Sequence, residues 1–166
     1  MQQRDIKRVG FWKRSLALAI DLVLLSITLT ITTSEILPAA TQNQFAIELA
    51  VYSVIAVYTS SEIWAAGTPG KRILGLRIAR VDAEKADHWR LSLRWSTKSF
   101  FVIGGLLWTI TSFSPFYILT GFMNLVVAIG CIAAANDDKL SWHDQWAKTA
   151  VYRKKDLLIQ RMSAVT

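Results

Sequence analysis

From Trp12 to Thr33 the chain reads WKRSLALAIDLVLLSITLTITT, an apolar run in which Asp21 is the sole charge beyond the basic opening. A helix rising about 1.5 Å per residue spans a bilayer core of about 30 Å over such a run. An ordinary soluble surface helix is therefore excluded. The buried acid sets a problem of its own. A carboxylate at that depth costs roughly 2.5–3.5 kcal/mol on insertion scales, so Asp21 must face protein or water and find a partner. Arg14 lies two helical turns away on the same face.

Composition agrees with lipid as the solvent. Of 166 residues, 52% are hydrophobic, and they fall in blocks rather than in a soluble amphipathic period. One domain is the expectation. The single cysteine, Cys131, allows no internal disulfide and reads as a small packing residue. A net charge of +7 would point to nucleic acid if the cations formed one patch. Instead, of the 19 lysines and arginines, five lie in 1–14, eight in 67–98 and six in 137–166, with none between. That is the positive-inside pattern for three cytoplasmic segments, and no nucleic-acid partner is expected. The first run is also too long for a signal h-region, and no clean cleavage site follows it.

The remaining segments follow from the same rules. Ser34–Gln44 is polar, holds Pro38 and lacks basic residues, so it reads as an outside loop. Phe45–Ala66 is the second span, with Glu48 near its outer end and Glu62 near its inner end. Glu48, Tyr52, Ile55, Thr59 and Glu62 share a helix face. That stripe is either a packing seam whose acids reach water at its ends or a path for a cation or proton. Gly67-Thr68-Pro69-Gly70 is a turn by composition. Lys71–Val81 alternates as a strand, interrupted by Gly75. From Asp87 a helix resumes, with Arg90 and Arg94 set to lie along the membrane surface toward phosphates. Gly70-Lys71 does not make a phosphate-binding loop, because Ala65 stands where the first glycine is required and Arg72 follows the lysine.

Ser99–Asn136 has 38 residues without a charge, enough for two spans and too many for one. Ser114-Pro115 is the natural break, giving spans at 95–113 and 116–135 joined by a tight outside turn. Thr120, Asn124, Gly130 and Ala134 supply polar and small residues for helix association. Beyond them, Ser141–Arg153 brings Trp142 and Trp146 around His143 and Asp144, and Thr149–Arg153 is a candidate strand partner for 71–81. Leu157–Thr166 reads as a frayed amphipathic tail. The expectation is an all-α membrane protein, one domain over 1–166 with four transmembrane helices, both termini cytoplasmic and a small cytoplasmic β element.

An R-x(6)-D pair at Arg14 and Asp21, GTPGKRILGLRI after the second span, and a closing WHD…TAVYR together resemble the RDD family of small membrane proteins. The resemblance runs from Phe11 to Arg153, and GTPGKRxxGLR is its most specific part. It implies that the family's arginine and two aspartates stand at Arg14, Asp21 and Asp144. It also implies a bacterial inner-membrane location. Some members look like sodium/proton antiporters, and RDD modules elsewhere are similar to assembly partners in larger membrane complexes. Gln145-Trp146 departs from the smaller aliphatic residue the family often has there, which bears on local packing.

Arg14, Asp21, Glu62 and Asp144, supported by Lys71, Arg72 and His143, make a charged cluster at the cytoplasmic mouth, and Glu48, near the outer end of the second span, is a further supporting acid. Gly67, Pro69, Gly70 and Gly75 are the conformational positions between them. In a structural reading, Arg14 neutralises Asp21 or Asp144 and the network fixes the fold. In a functional reading, Asp21 and Glu62 alternate between a proton and a cation such as sodium, with Arg14 tuning them. Adjacent His143 and Asp144 lack a nucleophile, and no Cys/His spacing suits zinc. No enzyme activity, cofactor or metal centre is expected. The partners expected are the lipid bilayer, sodium and protons, and a second copy or another membrane protein.

Overall fold

A computed structural model describes residues 6–36, 43–112, 114–135 and 138–163. Helix α1 (Phe11–Ile31) continues through a π-turn at Thr32–Ile36. Its threonine-rich end suits lipid because hydroxyls of Ser26, Thr28, Thr32 and Thr33 bond back to carbonyls one turn earlier. Helix α2 (Gln44–Ala65) starts with Asn43 accepting from the Phe45 amide and ends at Ala66 in the left-handed region, φ 52°. Among the described residues, runs 11–34 and 44–65 are the two helices long enough and apolar enough to cross a membrane, and only 11% of each apolar window is buried. Leu22, Val23 and Val57, among others, turn outward at 56, 59 and 74% exposure. Most of the expected outside loop, with Pro38, falls outside the described residues.

The strand expected over 71–81 is shorter. Pro69 opens a helical turn, α3 (Pro69–Ile73), because it donates no N–H and its φ already suits a first helical position. Gly75 then reverses the chain with φ 65°, and β1 occupies Leu76–Arg80. It pairs antiparallel with β2 (Thr149–Arg153), Leu76 opposite Arg153 and Arg80 opposite Thr149. Leu76, Ile78 and Val151 pack with Val9, Ala17, Ala86 and Leu91 into a core that joins the sheet to α1. The Ile78 amide donates to the Ala66 carbonyl at 2.8 Å, tying the end of α2 to this sheet.

The third expected span, 95–113, divides at Ser99: α4 is His88–Lys98 and α5 is Phe100–Thr111. Helix α6 is Ser114–Ile132, and Phe113 within the expected turn falls outside the described residues. At 12 residues α5 is a shorter apolar helix, so its end against α4 is a boundary the charge pattern alone did not place. Gly104 and Gly105 let its neighbours close in: a Cβ at Gly104 would stand 1.7 Å from Thr120 Oγ1, and one at Gly105 2.2 Å from the Tyr52 ring. The Asn124 side chain falls outside the described residues. Short α7 (Trp142–Trp146) precedes β2, and the expected frayed tail is instead helix α8 (Lys154–Ser163), with 164–166 outside the described residues.

Candidate functional site

Two carboxylate centres lie where the N-terminal half of α1 and the C-terminal end of α2 meet the sheet layer. Asp21 is 8% exposed and accepts three bonds, all from neutral donors. The Tyr58 hydroxyl donates at 2.8 Å and the Gly70 amide at 2.7 Å to Oδ1, while the Thr68 hydroxyl donates to Oδ2. This accounts for the turn motif residue by residue. Thr68 supplies a donor, Pro69 starts α3, and Gly70 brings a backbone N–H against α1 with no side chain in the way. A Cβ on Gly70 would meet the Ala17 carbonyl at 2.2 Å and Asp21 Cγ at 2.9 Å. Ala17, with no exposed surface, and Asp21 are one turn apart, so together they form the notch that receives Gly70.

Arg14 shares a face with Asp21 but does not neutralise it. Its Nη1 pairs with Asp144 Oδ2, its Nε donates to the Val9 carbonyl at 2.9 Å and its Nη2 to the Lys139 carbonyl at 2.7 Å. The alternative in which Arg14 meets Asp144 is the one the fold adopts. Asp144 has no exposed surface; it also pairs with Arg94 and accepts the Ser141 hydroxyl at 2.7 Å and the Ser141 amide at 3.1 Å. Ser141 and Asp144 form the capping box that starts α7.

Arg94 connects this centre to Glu62. Its Nε donates to Glu62 Oε1 at 3.2 Å and its Nη1 to the Thr149 hydroxyl at 3.1 Å. Glu62, 1% exposed, also receives Lys71 at 2.6 Å and pairs with Lys98. Arg94 was expected on the membrane surface and is instead turned inward, as is Lys98. Only Arg90 of the expected surface pair stays outward, bonded to Asp87 at 3.2 Å. The signal was present in the spacing: Leu91, Arg94, Trp95 and Lys98 repeat at helical intervals, and Leu91 is 3% exposed. Tyr58, Thr68 and Ser141 were likewise missed, because a hydroxyl carries no pattern until its acceptor is placed.

The stripe on α2 resolves into a seam. Glu48 accepts from Thr109 at 3.1 Å and Gln44 at 2.9 Å, the Tyr52 ring stacks edge-on with Phe101, and Thr59 accepts from Trp95 Nε1 at 3.1 Å. Glu48, Tyr52 and Thr59 each meet α4 or α5, as a packed seam requires, but Glu62 at the far end is 1% exposed and does not reach water. Glu48 is not brought to the inner cluster. Arg72 is exposed and faces away from it, and Gly67 takes no left-handed conformation, since Ala66 supplies that step.

His143 is drawn in through Ser141, with Oγ and Nε2 2.9 Å apart. Because the single Ser141 hydroxyl proton goes to Asp144, Nε2 of His143 carries the hydrogen and donates. Burial, with Arg94 and Lys98 near, holds the imidazole neutral far below its ordinary 6.5. As pH falls below 6.5 the unfolded chain takes up a proton that the folded chain does not, so stability is lost on acidification. The expected slope is up to about 1.4 kcal/mol per pH unit from this group, absent in His143→Gln. Unfolding of both proteins from neutrality to mild acid checks it; equal slopes would mean that the imidazole titrates normally.

The family model for the RDD family matches residues 8–148. No curated protein and no solved structure matches the chain. The match stops before β2 and so does not cover the TAVYR part of the resemblance.

Proposed function

Since the match over residues 8–148 shows that this chain belongs to the RDD family, we propose that it exchanges a monovalent cation for a proton at Asp21 across a bacterial cytoplasmic membrane. The observation that carries this reading is the contrast between the carboxylates. Glu62 and Asp144 are each gripped by cations and form a fixed frame, whereas every partner of Asp21 is neutral. The hydroxyls of Tyr58 and Thr68 can rotate their protons away, leaving an all-oxygen set with the carboxylate, and the Ala17 carbonyl borders the same notch. A hard cation such as sodium takes oxygen ligands of this kind, and a proton on Asp21 replaces it. The chain crosses four times in this reading, with α5 and α6 as the second pair and both termini inside, as reporter tags on the two ends would check.

Sodium uptake into proteoliposomes under an imposed pH gradient tests the proposal. Asp21→Asn keeps the shape of the side chain and is expected to lower exchange at least tenfold with folding retained. Uptake by Asp21→Asn at the wild-type rate would end the reading. The alternative is a non-catalytic assembly module, whose partner would displace lipid from apolar outer faces such as those at Ile110 and Ile118, 64 and 71% exposed. Crosslinking in native membranes that recovers a membrane-protein partner would support it.

A further inference from the structure

We propose that a groove beneath the inner end of α2 binds the phosphate diester of an anionic membrane lipid. The groove, about 750 Å³, is lined by Trp64, Pro69, Arg72, Ile73, Arg77 and Lys154. Arg72, Arg77 and Lys154 bring three cations and the lining brings no acid; none of the three forms an ion pair among the described residues. This separates them from Lys71, one position away, whose charge is already committed to Glu62.

Position in the bilayer supplies the second half of the argument. Helix α2 has 22 residues, about 33 Å at 1.5 Å each, so Trp64 in its last turn stands at the hydrocarbon boundary. Trp64 is 78% exposed and Ile73 64%, an apolar rim for the start of acyl chains above a cationic floor. The floor is fixed by backbone bonds, the Lys154 amide to the Gly75 carbonyl and the Ile78 amide to the Ala66 carbonyl, both 2.8 Å. Arginine presents paired N–H groups that fit two phosphate oxygens. A zwitterionic headgroup would bring its own cation against three unneutralised ones, so the groove selects a lipid of net negative charge.

Native mass spectrometry of the full chain, released from nanodiscs of equal phosphatidylglycerol and phosphatidylcholine, reads the result as retained lipid. The wild type is expected to retain one phosphatidylglycerol in preference. Each cation near a membrane surface is worth about a fivefold change in affinity, so Arg72→Ala/Arg77→Ala/Lys154→Ala should lose on the order of a hundredfold. Lys85→Ala/Arg90→Ala/Lys148→Ala removes equal charge elsewhere and should keep the preference. If the groove variant does not fold, single Arg77→Gln and Lys154→Gln, each expected to lose about fivefold, carry the test. Equal loss from both triple variants would reduce the groove to general surface charge and overturn the proposal. Displacement by millimolar inorganic phosphate would also overturn it, in favour of a free-phosphate site.

Discussion

Gly70→Ala is expected to lower stability by about 3 kcal/mol or more, and to reduce the folded protein recovered from membranes. The added methyl would sit 2.2 Å from the Ala17 carbonyl, a backbone atom that cannot rotate aside. Either α3 withdraws from α1 or α1 bends. Withdrawal stretches the 2.7 Å bond from the Gly70 amide to Asp21 and draws Thr68 away with it, leaving a buried carboxylate short of donors. The other glycines of the motif set the scale. At Gly75 a Cβ would meet nothing within 4 Å, but φ is 65°, so alanine there should cost about 1 kcal/mol. At Gly67 the nearest contact would be an ordinary 3.6 Å, and alanine should change stability by less than that. Thermal unfolding of the three variants in detergent gives the ranking. A Gly67 variant as unstable as the Gly70 variant would mean that the motif is conformational and that the notch on α1 is not what selects glycine.

That ranking was only half legible from the sequence. GTPG reads as a turn, yet nothing local reveals that Ala17 and Asp21 lie opposite. The strand at Thr149–Arg153 was placed to the residue by its short run of β-branched and aromatic side chains, since Thr149 to Tyr152 are all buried and show no alternation. Its partner began five residues late because a proline-led turn displaced the alternation at Lys71–Ile73. Arg94 shows the harder failure. An arginine on an amphipathic helix near a bilayer reads as a headgroup contact, since solvation is its default. Here Glu62 hangs from another helix 32 positions earlier and Asp144 lies 50 positions later, and only the tertiary fold turns those acids toward one guanidinium. Local patterns therefore placed α1, α2 and the strand pair, while the break between α4 and α5 and the choice of partner for each charge stayed non-local.

The network of Arg14, Arg94, Lys71 and Lys98 around Glu62 and Asp144 holds four cations and two carboxylates. Burial, with Lys71 and Arg94 near, pulls Lys98 down to about 7, so the positive excess at neutral pH lies between one and two charges. The acids are still the scarcer component, and that predicts an order. Glu62→Gln keeps the volume but leaves Lys71, Arg94 and Lys98 crowded without their common anion, and it should cost about 3–5 kcal/mol. Arg94→Met removes the 1%-exposed bridge, but Glu62 keeps two lysines and Asp144 keeps Arg14, so the loss should be smaller, about 1–3 kcal/mol. The double variant should be more stable than Glu62→Gln alone, because removing a cation relieves the repulsion that the lost acid exposed. Unfolding of the four proteins in matched nanodiscs closes the cycle. If Arg94→Met proved the costlier single change, the geometry of a bridge from one guanidinium to two acids would matter more than the charge balance. The layer would then be held by the shape of one guanidinium reaching two acids, not by the scarcity of carboxylates.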